Sequence, residues 1–194
     1  MSKKKRYPPR MPVFAAGFKY PDLRAGTLRT WWGGRWREEV ASKDLAGRYS
    51  RGRAYAIQGQ MTALSIAGNV VSAKVQGARA EAYEVGLVFK RPEGAKREKL
   101  ISAIRAKPAI VARLAARDMP MELESIFRET GCSLFPGGRT EDGSYDVTVS
   151  CSCPDYAAVC KHSFAVLLAL GEEISAHPAL ALSLRGLSLD ELCE

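Results

Sequence analysis

Twelve residues near the C-terminal end, CSCPDYAAVCKH (151–162), contain three of the chain's five cysteines and one of its two histidines. Cys151 and Cys153 are separated by one residue, as are Cys160 and His162. Three thiolates and one imidazole form a complete tetrahedral donor set for Zn²⁺, with no position left for water or substrate. Such an ion is structural, and its binding would contribute to folding on the order of 10 kcal/mol. Two other readings use the same residues: buried cysteines acting as small apolar side chains beside a surface histidine, or a redox pair at Cys151 and Cys153. A single intervening residue is unusual for the second. The odd and clustered cysteine count argues against a disulfide framework and for a reducing, cytoplasmic compartment.

The flanking sequence must bring the four donors to one point. SYDVTVSCSC (144–153) alternates as a strand, with Tyr145, Val147 and Val149 on one side, and residues two apart on a strand share a face. Cys151 and Cys153 therefore point the same way at its end. On a helix, two positions are about 200° apart, so Cys160 belongs at the start of a helix and His162 in its first turn. KHSFAVLLALG supplies that helix, closed by Gly171.

Upstream, residues 60–66, 70–76 and 82–90 alternate with period two between turn signals. They predict an antiparallel meander with Leu64, Ile66, Val71, Ala73, Val75, Val85, Leu87 and Phe89 on a buried face. Residues 94–130 change to helical spacing. The expected apolar sets are Leu100, Ile101 and Ile104; then Ile110, Val111 and Leu114 after Pro108; then Leu123, Ile126 and Phe127 up to Gly131. A short helix is expected from about Gly34 to Ala41, after Gly33 and Gly34 interrupt the pattern. Gly- and Arg-rich 45–55 reads as a loop, GGRTEDG (137–143) as a turn, and 175–194 as one or two short helices. The fold class is α+β. It divides into a basic flexible arm (1–12), a basic Trp/Arg-rich β domain (13–92), a helical segment (93–131), a small ββα-like zinc module (140–174) and a helical tail (175–194).

Charge is segregated. Residues 1–110 have 23 Lys and Arg against 8 Asp and Glu, a balance of +15, and the remainder balances at −7, giving the net +8. A basic front half is the footprint of a polyanion partner. The candidate nucleic-acid contacts are Lys3, Lys4, Lys5 and Arg6 in the arm, Arg35 and Arg37 beside the tryptophans, and Arg48, Arg51 and Arg53 in the expected loop with Tyr49 and Tyr55. Lys74, Gln76 and Arg79 join them on or near the second strand, Lys74 and Gln76 sharing its exposed face. Trp31, Trp32 and Trp36 read mainly as core. No base-reading helix is evident, so backbone contact with little sequence preference is expected.

The pattern C-x-C, six residues, C-x-H and an apolar helix resembles the SWIM zinc finger, with Cys151, Cys153, Cys160 and His162 as the matching residues. Thr30 to Gly33 with Trp36, Arg51-Gly52-Arg53-Ala54-Tyr55, and Val75-Gln76-Gly77 are similar to the front part of bacterial SWIM-containing proteins. That resemblance implies DNA binding or protein interaction, and association with a helicase-like ATPase of the Snf type. Residues 92–140 have no helicase-like motif, which places any such ATPase on another chain.

The expectation is a zinc-stabilised nucleic-acid-binding accessory protein, DNA before RNA. Its basic half would hold the phosphate backbone, and its acidic SWIM half would dock a protein partner. The alternative is an interaction adaptor that binds no nucleic acid. Catalysis is not expected. There is no phosphate-cradling G-x-x-x-x-G-K-[ST] loop, and Glu38, Glu39, Glu122 and Glu124 read as solvated. Cys132, Cys193 and His177 have no evident partners. No apolar run is long enough to span a membrane.

Overall fold

The computed structural model describes residues 11–25, 30–44, 47–137 and 146–194. The expected arm residues Lys3, Lys4, Lys5 and Arg6, Tyr145 and most of the 137–143 turn lie outside them.

The meander forms as predicted. β1 (Met61–Ala67), β2 (Val70–Val75) and β3 (Tyr83–Phe89) are consecutive antiparallel neighbours, and β4 (Val147–Cys151) adds to β3 as the fourth strand. Period-two alternation places Val71, Ala73, Val75, Val85, Leu87, Phe89 and Val147 in the core, while Leu64 and Ile66 are half-buried against it. β4 belongs to the expected zinc module, so that module shares its sheet with the front half.

The sheet's inner face is covered by α7 (Lys161–Ala176), on which α2 (Trp31–Ala41) and α3 (Arg48–Gln58) also pack. α7 runs past Gly171 and is buried on nearly every side from His162 to Gly171. A helix that is apolar all round demands such a central position. Gly171 does not stop it. It is a point of close approach, where a Cβ would lie 2.5 Å from Cδ1 of Trp36.

Two sequence expectations are corrected by the same physics. α2 begins at Trp31, three residues before the expected start, and includes both glycines. Thr30 caps it by accepting the Gly33 amide at 3.1 Å, and a Cβ on Gly33 would meet Ser175 Oγ at 2.2 Å. The Gly- and Arg-rich stretch is not a loop over 48–55 but the body of α3. Glycine inside a helix costs about 1 kcal/mol relative to alanine, which favours the loop reading. Here Gly52 lets α3 sit directly on α7, since a Cβ would lie 2.4 Å from Cβ of Phe164 and 2.7 Å from the Lys161 carbonyl. Left-handed glycines, Gly47 (φ 66°) and Gly59 (φ 80°), bound α3.

Trp32 and Trp36 are core residues, as expected, Trp31 is half-buried against the core, and each indole N–H is satisfied. Trp36 donates to the Leu167 carbonyl at 2.8 Å, Trp32 to Ile174 at 3.1 Å and Trp31 to Met119 at 2.7 Å. The predicted helices of the middle segment form as α4 (Gly94–Arg105), α5 (Pro108–Ala115) and α6 (Glu122–Glu129), burying their expected apolar sets. α1 (Asp22–Ala25) packs near α3, and the tail forms α8 (Ala179–Leu184) and α9 (Leu189–Cys193).

Candidate metal centre and its surroundings

Cys151 ends β4, Cys153 lies in the following bend, Cys160 is the N-cap of α7 and His162 is the second residue of that helix. The N-cap resolves the spacing problem. Cys160 is extended (φ −86°, ψ 172°), so its thiol and the His162 ring converge instead of diverging around the helix. Ligand atoms of all four residues lie within 4.8 Å of one another. Nδ1 of His162 is 3.9 Å from Sγ of Cys151 and 3.8 Å from Sγ of Cys160. Zn–S and Zn–N bonds of about 2.3 and 2.0 Å give tetrahedral edges of about 3.5–3.8 Å, so the donor set and its spacing fit zinc.

The thiols are electrostatically linked. Hydrogen bonding from Cys151, then from His162 and Ser163, holds the Cys160 thiol down to about 3 despite its burial. Cys151 is pushed well up by the same bond to Cys160 and by burial, and burial also raises Cys153. A thiolate at Cys160 thus opposes ionisation of its neighbours, and a divalent cation between them removes that opposition.

His162 is held from outside the zinc module. Its ring lies 4.5 Å from that of Tyr83 on β3 and 5.5 Å from that of Tyr55 on α3. Gly77, just past β2, leaves the room. A Cβ there would be 2.4 Å from the Tyr83 ring and 3.2 Å from His162 Nε2. A metal held through Nδ1 would leave the proton on Nε2, which is buried without a hydrogen-bond partner among the described residues. The sequence motifs around Gly52, Tyr55 and Gly77 therefore converge on the zinc ligand. Tyr83 was not singled out in the sequence, where it reads only as a strand residue.

The candidate nucleic-acid residues are not one surface. Arg35 is bound by Glu38, Glu39 and Glu124 at 2.9–3.0 Å, bonds that hold its guanidinium firmly charged. Arg37 pairs with Glu172 at 3.0 Å. Arg48 makes a two-pronged bond to Asp155 at 2.9 and 3.0 Å. Arg53 donates to the carbonyls of Leu23 and Arg24. Gln76 does not share the exposed face with Lys74. Alternation ends with β2 at Val75, and the Gln76 side chain is buried, donating to backbone carbonyls of the loop that follows. Lys74 is exposed, directly opposite Glu84. Arg51 and Arg79 are exposed. Arg79 lies over the Tyr83 ring and Lys161 over the Tyr55 ring, 5.8 and 4.7 Å from the centroids.

Comparison with known proteins agrees with the geometry. Residues 144–171 match the SWIM zinc finger family. The chain is also 33% identical over 191 residues to Uncharacterized protein Rv2102 of Mycobacterium tuberculosis (strain ATCC 25618 / H37Rv). That similarity covers 96% of this chain and 66% of the relative, so the chain spans about two thirds of the relative's length. No solved structure matches. Residues 144–171 of the chain are thus a SWIM zinc finger, in which Cys151, Cys153, Cys160 and His162 form a group able to hold Zn²⁺.

Proposed function

We propose that this chain is a non-catalytic, zinc-stabilised nucleic-acid-binding accessory protein, DNA being preferred to RNA as its ligand. The observation that carries this reading is where the unpaired cations fall. Cross-half pairs such as Arg35–Glu124, Arg37–Glu172 and Arg48–Asp155 consume much of the segregated charge. Among the described exposed or half-buried cations that form no salt bridge, Arg51, Arg79 and Lys161 gather on or beside the zinc module, Arg51 pulling only through space on Asp155, whereas Lys99, Lys107 and Arg117 lie on or beside the middle helices. Arg51 is one turn along α3 from Arg48, Arg79 covers the tyrosine that stacks on His162, and Lys161 adjoins both Cys160 and His162. The sequence alone gives the module one local cation. Folding adds two from the front half. Lys3, Lys4, Lys5, Arg6 and Arg10 are five of the chain's 29 basic residues, and in this reading they supply further phosphate contacts.

In this reading zinc is a scaffold, since its four positions are filled by protein. A protein partner, such as a Snf-type helicase-like ATPase on another chain, is the second half of the proposal. Seven of the thirteen carboxylates after residue 110 that suggest its docking site are salt-bridged, among the described residues, to arginines of the chain itself. Met11 and Phe14, exposed before β1, offer apolar surface instead.

Binding of zinc-loaded protein to non-specific duplex and single-stranded DNA between 50 and 200 mM salt tests the proposal. Affinity should fall with a slope of about −0.9 per phosphate contact on duplex. Replacing Lys3, Lys4, Lys5 and Arg6 with glutamine should flatten it. No binding, or a slope near zero, would leave the adaptor reading in its place.

A further inference from the structure

Tyr156 is the exception among the tyrosines whose surroundings are described. Tyr20 and Tyr49 are half-buried, and Tyr55 and Tyr83 are core residues, whereas Tyr156 is fully exposed (103%). It stands at the tip of the segment between two zinc ligands, Cys153 and Cys160. A ring left in water has no packing role to explain it.

The tip is held in place. Cys153 and Cys160 fix its two ends, and Asp155, next to the tyrosine, receives both prongs of Arg48. Asp155 Oδ1 also accepts the Ala157 amide at 3.2 Å, closing a tight local turn. The neighbouring carboxylate is thereby neutralised by a cation. Arg51, one helical turn beyond Arg48, is exposed, donates through Nε to the Gly47 carbonyl, and is near enough to Asp155 to help hold that carboxyl down without a salt bridge to it.

We infer that the zinc-module tip is a contact for single-stranded nucleic acid, in which Tyr156 stacks on an unpaired base and Arg51 meets the adjoining phosphate. The inference deepens the proposed function and rests on it. An aromatic ring on a positioned loop near an exposed arginine that forms no salt bridge supplies the two elements that non-specific single-strand binding uses, a stacking platform and a phosphate contact. Duplex DNA keeps its bases in the helical stack, so it cannot use the ring without unstacking. A protein hot spot would surround the ring with apolar area that excludes water. Pro154 and Ala158 supply little around the ring itself, while Ala157 and Val159 line a separate apolar cavity with Val88, Val149 and Leu167, whose use by a protein partner is the competing outcome of the test.

The test uses full-length zinc-loaded protein and fluorescence anisotropy with three probes: a labelled oligothymidylate, a duplex, and an abasic strand of equal length. Tyr156→Ala should weaken oligothymidylate binding about 5- to 150-fold. It should leave duplex and abasic binding and the salt slope unchanged. Tyr156→Phe should keep the affinity within about twofold. Arg51→Gln should reduce the single-strand salt slope by about 0.7. Zinc content, measured for each variant, verifies that the module is intact. Salt-dependent binding that is indifferent to Tyr156→Ala would overturn the stacking inference and leave the electrostatic reading standing. A parent protein that binds none of the probes would end both. Loss of a co-purifying protein with oligothymidylate binding intact would assign the ring to a protein partner and reject the inference.

Discussion

Gly52→Ala tests the joint between the front half and the zinc module. The added methyl would lie 2.4 Å from Cβ of Phe164, 2.7 Å from the Lys161 carbonyl and 3.0 Å from the Ala165 amide. Two of those atoms are backbone, so no side chain can rotate away. α3 and α7 must separate by about 1 Å to restore ordinary contact near 3.4 Å. Overpacking of this kind costs about 1–3 kcal/mol, and a backbone clash belongs at the upper end. Alanine returns about 1 kcal/mol through helix propensity. The net loss is about 2 kcal/mol, or roughly 4–8 °C of melting temperature for a chain of this size. Because Lys161 and Phe164 flank His162, the separation also disturbs a zinc ligand, and weaker retention of zinc against a chelator should accompany the lower Tm. Thermal melts at fixed free zinc, with Gln58→Ala on the exposed side of α3 as the propensity control, measure the effect. A Gly52→Ala protein as stable as its parent, or more stable, would refute the close-approach argument and return α3 to a loosely docked helix.

Arg185 and Asp146 form a buried pair at 2.6 Å, Arg185 also donating to the carbonyls of Lys90, Leu134 and Phe135. Burial pushes the Asp146 carboxyl up and the Arg185 guanidinium down, each against the attraction of its partner. Arg185→Met should cost about 3–5 kcal/mol in urea unfolding by stranding a buried carboxylate, and adding Asp146→Leu should recover part of that loss. Metal analysis should give one zinc per chain, unchanged by Cys132→Ser or Cys193→Ser and lost with Cys160→Ser. Chelation should abolish the near-ultraviolet signal of the three tryptophans, because the elements holding His162 also carry the central core. A spectrum that survives complete zinc removal would count against that coupling.

Local order was legible in the sequence because it obeys short-range rules. Cys151, Cys153, Cys160 and His162 could be grouped from strand and helix geometry alone, and the N-cap position of Cys160 followed from the angular conflict between it and His162. The meander and the helices of the middle segment followed from periods of two and 3.6. Gly52 and Gly171 were misread because their helix-breaking character is a local property, whereas their use is set by a partner helix distant in sequence. Gln76 was assigned to an exposed face because alternation was extended one residue beyond the strand's end.

The sequence by itself determined the donor set, the strand and helix that present it, and the sign of the charge on each half. These depend on residue type and on spacing within a few turns of chain. The tertiary structure decided which charges remain available, since a charge segregated along the chain becomes paired when the halves pack, as in Arg37–Glu172. It also decided that Tyr55, Tyr83 and Gly77 enclose His162. Contacts between residues about 80–110 positions apart leave no periodic trace, because they arise only when the sheet and α7 bury their apolar faces together.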